Sequence, residues 1–179
     1  MTSNTIDAIY IFDHTKLAIT PIQAKPLTNT PPSQPILEHI YRNRPPSPGT
    51  LLRHYLAHPA PRSSLIYTHE TSPPTLIFSI IHSHLLFLVP SNTEVEPLFV
   101  LEFLHRLCDI LEDFLGSPLL ASKIQSSYDV VAQVLGEVCD AGVVCNTEPN
   151  ALRDVVDMPG WMEKLFAGAG YVSFPLPPG

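Results

Sequence analysis

Two clusters in this 179-residue chain carry side chains of types that do chemistry. The stretch EPLFVLEFLHRLCDILEDFLG, residues 96–116, holds His105, Cys108, Asp109 and Glu112 at helical spacing. Imidazole, thiolate and carboxylate are the donor types of a zinc centre. Further upstream, His82 and His84 sit two apart, which places them on one face of a strand. Such a pair could serve a metal-dependent hydrolase, in which a bound ion activates water.

Geometry argues against both. At about 100° per residue, Cys108 lies about 60° from His105, on the apolar side of the helix. Four ligands on one short helix cannot close a tetrahedron. His82 and His84 lie between two apolar runs where a tight turn is expected, and no third ligand has a completing spacing. Cys139 and Cys145 are spaced wrongly for a zinc knuckle or a redox CxxC pair. Cys139 falls on the apolar arc of its helix, where a buried free thiol is the common fate. No nucleophile elbow, phosphate loop, dinucleotide fingerprint or HExxH helix occurs. The eight glycines leave little for phosphate-cradling loops. The residues therefore assign no catalytic, metal or cofactor site, and a non-enzymatic protein without a cofactor is expected.

The elements that hold these residues are more informative. On the helix beginning at Pro97, the polar residues Glu102, His105, Arg106, Asp109, Glu112 and Asp113 fall within about 120° of arc. His105–Asp109 and Arg106–Asp113 are expected as ordinary surface contacts. The rest is apolar over about 200°, twice the roughly 100° stripe of a surface helix. A second helix, expected from Ala121 to Ala141, has an apolar arc of similar width through Tyr128, Val131 and Leu135. Each helix must bury two sides. One faces a sheet, and the other is expected to meet the neighbouring helix and, in part, another protein.

The sheet is read from IDAIYIF (6–12), ILEHIYR (36–42), SLIYTHE (64–70), TLIFSII (75–81) and HLLFLVP (84–90). ILEHIYR fits a helix as well as a strand by pattern. The last two runs are apolar throughout, which requires a sheet covered on both faces. TLLRHYLAH (50–58) fits a short helix stopped by Pro59, and TEPNALRDVV (147–156) one or two further turns. Ten of the 20 prolines fall between Pro21 and Pro61, so 14–35 is expected as a long loop. Residues 161–179 are expected as a linker or frayed end.

Composition bounds the function. The chain is 45% hydrophobic and 15% charged, with net charge −7. Without a basic stripe to replace phosphate counterions, nucleic-acid binding is excluded. The three cysteines suit reduced thiols in a cytosolic setting. No secretory signal is visible, and the most hydrophobic window, 75–89, is too short for a membrane helix.

Residue-level likeness goes further. VEPLFVLEFLHRLCDILEDFLG, followed by IQSSYDVVAQVLGEVCDAGVVCNTEPNALRDVV, resembles the N-terminal domain of adaptor protein complex medium (mu) chains, nearest to those of adaptor complex 3. The shared features are the Pro-Leu-Phe-Val-x-Glu-Phe-Leu-His-Arg start, the acidic Asp/Phe/Gly helix end, and the Thr-Glu-x-Asn-x-Leu exit. ILEHIYRN is similar to the family's second strand, which favours strand over helix there. The resemblance implies an α/β (α+β) longin-like fold in the order β-β-α-β-β-β-α-α. Its five-stranded, mostly antiparallel sheet would carry one helix on one face and two on the other. It implies a domain over 1–160, with 14–35 as a Pro-rich insertion and the family's C-terminal mu homology domain missing.

The resemblance also implies an assembly role. Such a subunit docks on a large beta-type subunit of a heterotetrameric adaptor that sorts cargo in vesicle-mediated transport between Golgi or endosomes and the vacuole or lysosome. Its contact with membranes would be indirect, through the complex, and its location cytoplasmic. Phe99, Phe103, Ile110, Phe114, Tyr128, Val131 and Leu135 are the expected partner-facing residues. Two alternatives are a small (sigma) adaptor chain and a longin-type module that binds a small GTPase or SNARE.

Overall fold

The structure is a computed structural model that describes residues 4–17 and 34–160. Most of the expected Pro-rich insertion, and all of 161–179, lie outside the described residues.

Five strands form one antiparallel sheet in the order β2-β1-β5-β4-β3. They are β1 (Ala8–Asp13), β2 (Leu37–Ile40), β3 (Leu65–Thr68), β4 (Thr75–His82) and β5 (Leu85–Ser91). The central strand β5 is buried along its whole length, as its uninterrupted apolar sequence requires. Alternation along β1 then sends Ala8, Tyr10 and Phe12 to one face and Ile9 and Ile11 to the other. ILEHIYR is a strand: its core pairs with β1 in the register Ile9↔His39 and Ile11↔Leu37.

One face is covered by α1 (His14–Leu17) and α2 (Pro48–Ala57). The α1 turn corrects the expectation of a loop from residue 14. Asp13 Oδ1 accepts hydrogen bonds from the Thr15 N–H and hydroxyl, which tightens the chain into a turn. Helix α2 begins two residues before the expected Thr50. Ser47 Oγ accepts from the Thr50 N–H, and Pro48 fills the first turn, where no N–H is needed. Leu51, Leu52 and Tyr55 pack from α2 onto Tyr10, Ile66, Ile77 and Leu88.

The other face carries α3 (Pro97–Leu115), α4 (Ala121–Ser126), α5 (Tyr128–Val138) and α6 (Pro149–Val155). Helix α3 ends at Gly116, whose φ of 82° is the left-handed geometry glycine supplies cheaply. The expected single helix from Ala121 to Ala141 is two helices. Ser127 breaks it with φ −119° and ψ 31°, and Ser126 Oγ donates back to the Lys123 carbonyl. Serine hydroxyls compete with the helical backbone in this way. The end of that stretch is not helical at all. Cys139–Asp140 and Val143–Val144 form a small hairpin, β6–β7, turned by Ala141 (φ 46°) and Gly142 (φ 90°).

The layered arrangement is the longin-type one: one principal helix on one face and the long helices on the other. Two contacts anchor the end of β2, one to the helical layer and one within the sheet. Tyr41 donates its hydroxyl to the Leu135 carbonyl at 2.7 Å, joining the end of β2 to α5. Asp7 is buried, accepts from Asn43 Nδ2 at 2.9 Å and pairs with Arg42 at 3.3 Å.

Candidate docking surface

Helix α3 buries Val100, Phe103, Leu104, Leu107, Cys108, Ile110, Leu111 and Phe114. Helix α5 buries Val130, Val131, Val134, Leu135 and Val138. The wide apolar arcs read from the sequence are therefore largely consumed inside the chain. Sheet, α3, α5 and α6 share one continuous core, to which α6 contributes Leu152. This narrows the expected partner-facing set. Phe103, Ile110, Phe114, Val131 and Leu135 are buried in that core and present no surface. Phe99 is half-buried against it, and Tyr128, at the first position of α5, is 46% exposed. A helical wheel gives the width of an apolar arc. It does not say how many neighbours share it.

The sequence reading missed the apolar side chains that stay outside. Leu98, at the start of α3, is 70% exposed, and Val155, at the end of α6, is 54% exposed. Leu120 and Val143 are also exposed. Their signal was present in the sequence as apolar residues beside helix ends and turns, where periodicity carries least information.

The polar residues of α3 sort differently from expectation. Arg106 pairs with Glu102, one turn back, at 3.0 Å, and Asp113 pairs with Arg153 of α6 at 2.6 Å. A Glu four residues before an Arg is the better-oriented pair on a helix. Asp113 instead meets a charge from another element, which no single-helix wheel contains. Arg106 also reaches Thr147 just before α6, so the two helices are stitched along their solvent edge.

His82 and His84 occupy a hairpin end, as expected. Ser83 (φ 47°) and His84 (φ 68°) are the two central residues of the β4–β5 turn. His82 Nε2 lies 2.9 Å from Glu112 Oε1, a link between sheet and α3 that spacing alone could not suggest. That hydrogen bond is the largest influence on Glu112 and holds its carboxyl below the ordinary value. Among the described residues, no group of three or more His, Cys, Asp or Glu could hold a metal ion. Burial pushes both the Cys108 and Cys139 thiols up to about 12, with nearby carboxylates adding to the rise, so neither is a reactive thiolate. Among the described residues, no helix is long and apolar enough to cross a membrane.

What remains on this side is a helical layer with a filled interior and scattered apolar side chains outside. No protein-family model matches the chain. Curated relatives do. The AP-3 complex subunit mu of Schizosaccharomyces pombe is 30% identical over 168 residues, covering 93% of this chain and 35% of that protein. This chain is a homologue of the AP-3 mu subunits. The Arabidopsis thaliana AP-3 complex subunit mu is 33% identical over 112 residues, covering 60% of this chain and 27% of its own. The human AP-3 complex subunit mu-1 is 33% identical over 112 residues, covering 61% and 27%. The chain thus spans about a third of the length of the mu relatives it matches, or less. In the mu-type frame, α3 to α6 is the helical side of the longin-like domain.

Proposed function

We propose that this chain is a non-enzymatic subunit of a heterotetrameric adaptor complex in vesicle-mediated transport toward the vacuole or lysosome. The observation that carries this is the identity with an AP-3 mu subunit over 93% of the chain. In this reading the domain docks on a large beta-type subunit and reaches Golgi or endosomal membranes through the complex. Tyr128, Phe99 and Leu98 are the apolar side chains offered on the α3–α5 side. Exposed aromatic and aliphatic groups of this kind are common anchors at interfaces.

Co-expression with tagged large adaptor subunits tests it. Stoichiometric co-purification with the beta-type subunit is expected, and Tyr128→Asp is expected to abolish it while leaving the melting temperature within a few degrees. Co-purification with the delta-type subunit instead would assign the chain to the sigma class. Binding to neither would overturn the adaptor reading.

A further inference from the structure

A cleft of about 310 Å³ opens on the α2 side of the sheet, away from α3 to α6. Arg44, Thr50, Arg53, His54, Glu70 and Ser72 are among the residues that line it. Arg44 and Arg53 have no hydrogen-bond or carboxylate partner among the described residues. The other described arginines are engaged: Arg42 with Asp7, Arg62 with the Tyr55 carbonyl, Arg106 with Glu102 and Arg153 with Asp113. In a chain of net charge −7, two free guanidinium groups at one cleft stand apart.

His54 supplies an independent observation. Its residue is only 9% exposed, yet it lines the cleft. Nδ1 lies 3.4 Å from Thr68 Oγ1 and 3.7 Å from Glu70 Oε2. Nε2 has no hydrogen-bond partner among the described residues. Nε2 is not among the buried unpartnered atoms, so it is reachable from the cleft and open to a ligand there. Paired guanidinium forks match the tetrahedral oxygens of phosphate.

We propose that this cleft binds a phosphate ester, held by Arg44 and Arg53 with His54 Nε2 as a further polar contact. Glu70 is the one carboxylate among the lining residues, and it opposes the ligand. The inference stands on the cleft itself and does not depend on the adaptor reading. The chemistry is shared by a soluble phosphate ester and a phosphorylated lipid headgroup, so the test separates these sources.

Calorimetric titration of the full chain with inorganic phosphate and with inositol trisphosphate forms one arm. Flotation with phosphatidylcholine vesicles, with and without a phosphorylated phosphatidylinositol, forms the other. Saturable binding in either arm is expected, and the arm with the tighter binding identifies the source. The Arg44→Ala/Arg53→Ala double variant is expected to weaken it by roughly tenfold or more. His54→Gln should weaken it severalfold, Glu70→Gln should tighten it severalfold, and Arg106→Ala on the opposite side should leave it unchanged. Circular-dichroism melts report whether each variant is folded. No binding in either arm overturns the proposal. So does binding that ignores the double variant in folded protein, or a poly-glutamate peptide that binds as tightly as the phosphate probes.

Discussion

The two faces of the sheet are built on different plans. The α3–α6 side has 28 residues in its buried cluster and the α1–α2 side has 11, counted among the described residues, so most of the apolar burial lies on the first. Charge divides along the chain. Residues 90–160, which supply α3 to α6, carry twelve acidic and three basic side chains, and the described residues before them carry four and five. The segment that supplies α3 to α6 is acidic, with its arginines locally paired. The segment before it is nearly neutral and leaves two arginines free at a cleft. Stability and ligand chemistry have thus been separated across one sheet. A thick core with an inert polar rim suits a constant contact surface. A single covering helix leaves room for a polar cleft beside it.

The comparison can be broken at several points. The largest effect is expected from Phe114→Ala, which empties the α3 core and should cost about 3–5 kcal/mol in urea unfolding. Leu52→Ala on α2 should cost less, near the lower end of about 2–5 kcal/mol, because neighbours of a lone helix can settle into the gap. A larger loss at Leu52 would refute the assignment of stability to the α3 side.

Alkaline pH probes the same core. Cys108 and Cys139 are held neutral in the folded chain up to about 12 but ionise near 9.0 when unfolded. The unfolded state therefore binds fewer protons between those values, and stability falls as pH rises through that window. A loss of up to about 1.4 kcal/mol per pH unit per thiol is expected. Replacing both by alanine should flatten the part of the slope they cause.

Two glycines sharpen the comparison through opposite signs. Gly142→Ala would force a side chain onto φ 90° and place Cβ 2.8 Å from the Ile6 carbonyl oxygen, so destabilisation by more than about 1 kcal/mol is expected. Gly136 lies within α5, and a Cβ there meets nothing within 4 Å. Gly136→Ala should stabilise by about 0.5–1 kcal/mol. Thermal denaturation of both variants checks the pair.

Smaller effects are expected at the rim. Tyr128→Ala should cost no more than about 1 kcal/mol, since the ring is 46% exposed, and its consequence should appear in subunit co-purification instead. His82→Ala removes the bond that depresses Glu112. The stability from that pair is present above the ordinary carboxyl value of 4.5 and is lost as pH falls through the lower folded value. A difference from wild type of less than about 1 kcal/mol, shrinking as pH falls below 4.5, is expected.

Much of this architecture was legible in the residues. Apolar runs without alternation announced strands covered on both faces, and β5 is buried from end to end. Pro97 and Gly116 marked the bounds of α3. The break at Ser127 and the β6–β7 hairpin were hidden, because a smooth 3.6-residue pattern continued through them. Ala141 at φ 46° has a conformation no propensity would choose. Five of the seven expected partner-facing residues lie buried within the chain, for a related reason. Apolar periodicity reports that a residue is buried, and it is silent on whether the burying surface belongs to the same chain.

By itself, the sequence determined the main strands and helices, the two-sided sheet and the membership of the long helix faces, since these follow from local periodicity and the need to hide apolar area. Only the tertiary structure decided which contacts close: Tyr41 with Leu135, His82 with Glu112, Asp113 with Arg153, and the cleft at Arg44 and Arg53. These depend on the relative placement of segments far apart in the chain. Directional contacts of a few ångströms are fixed by packing, which no local pattern encodes.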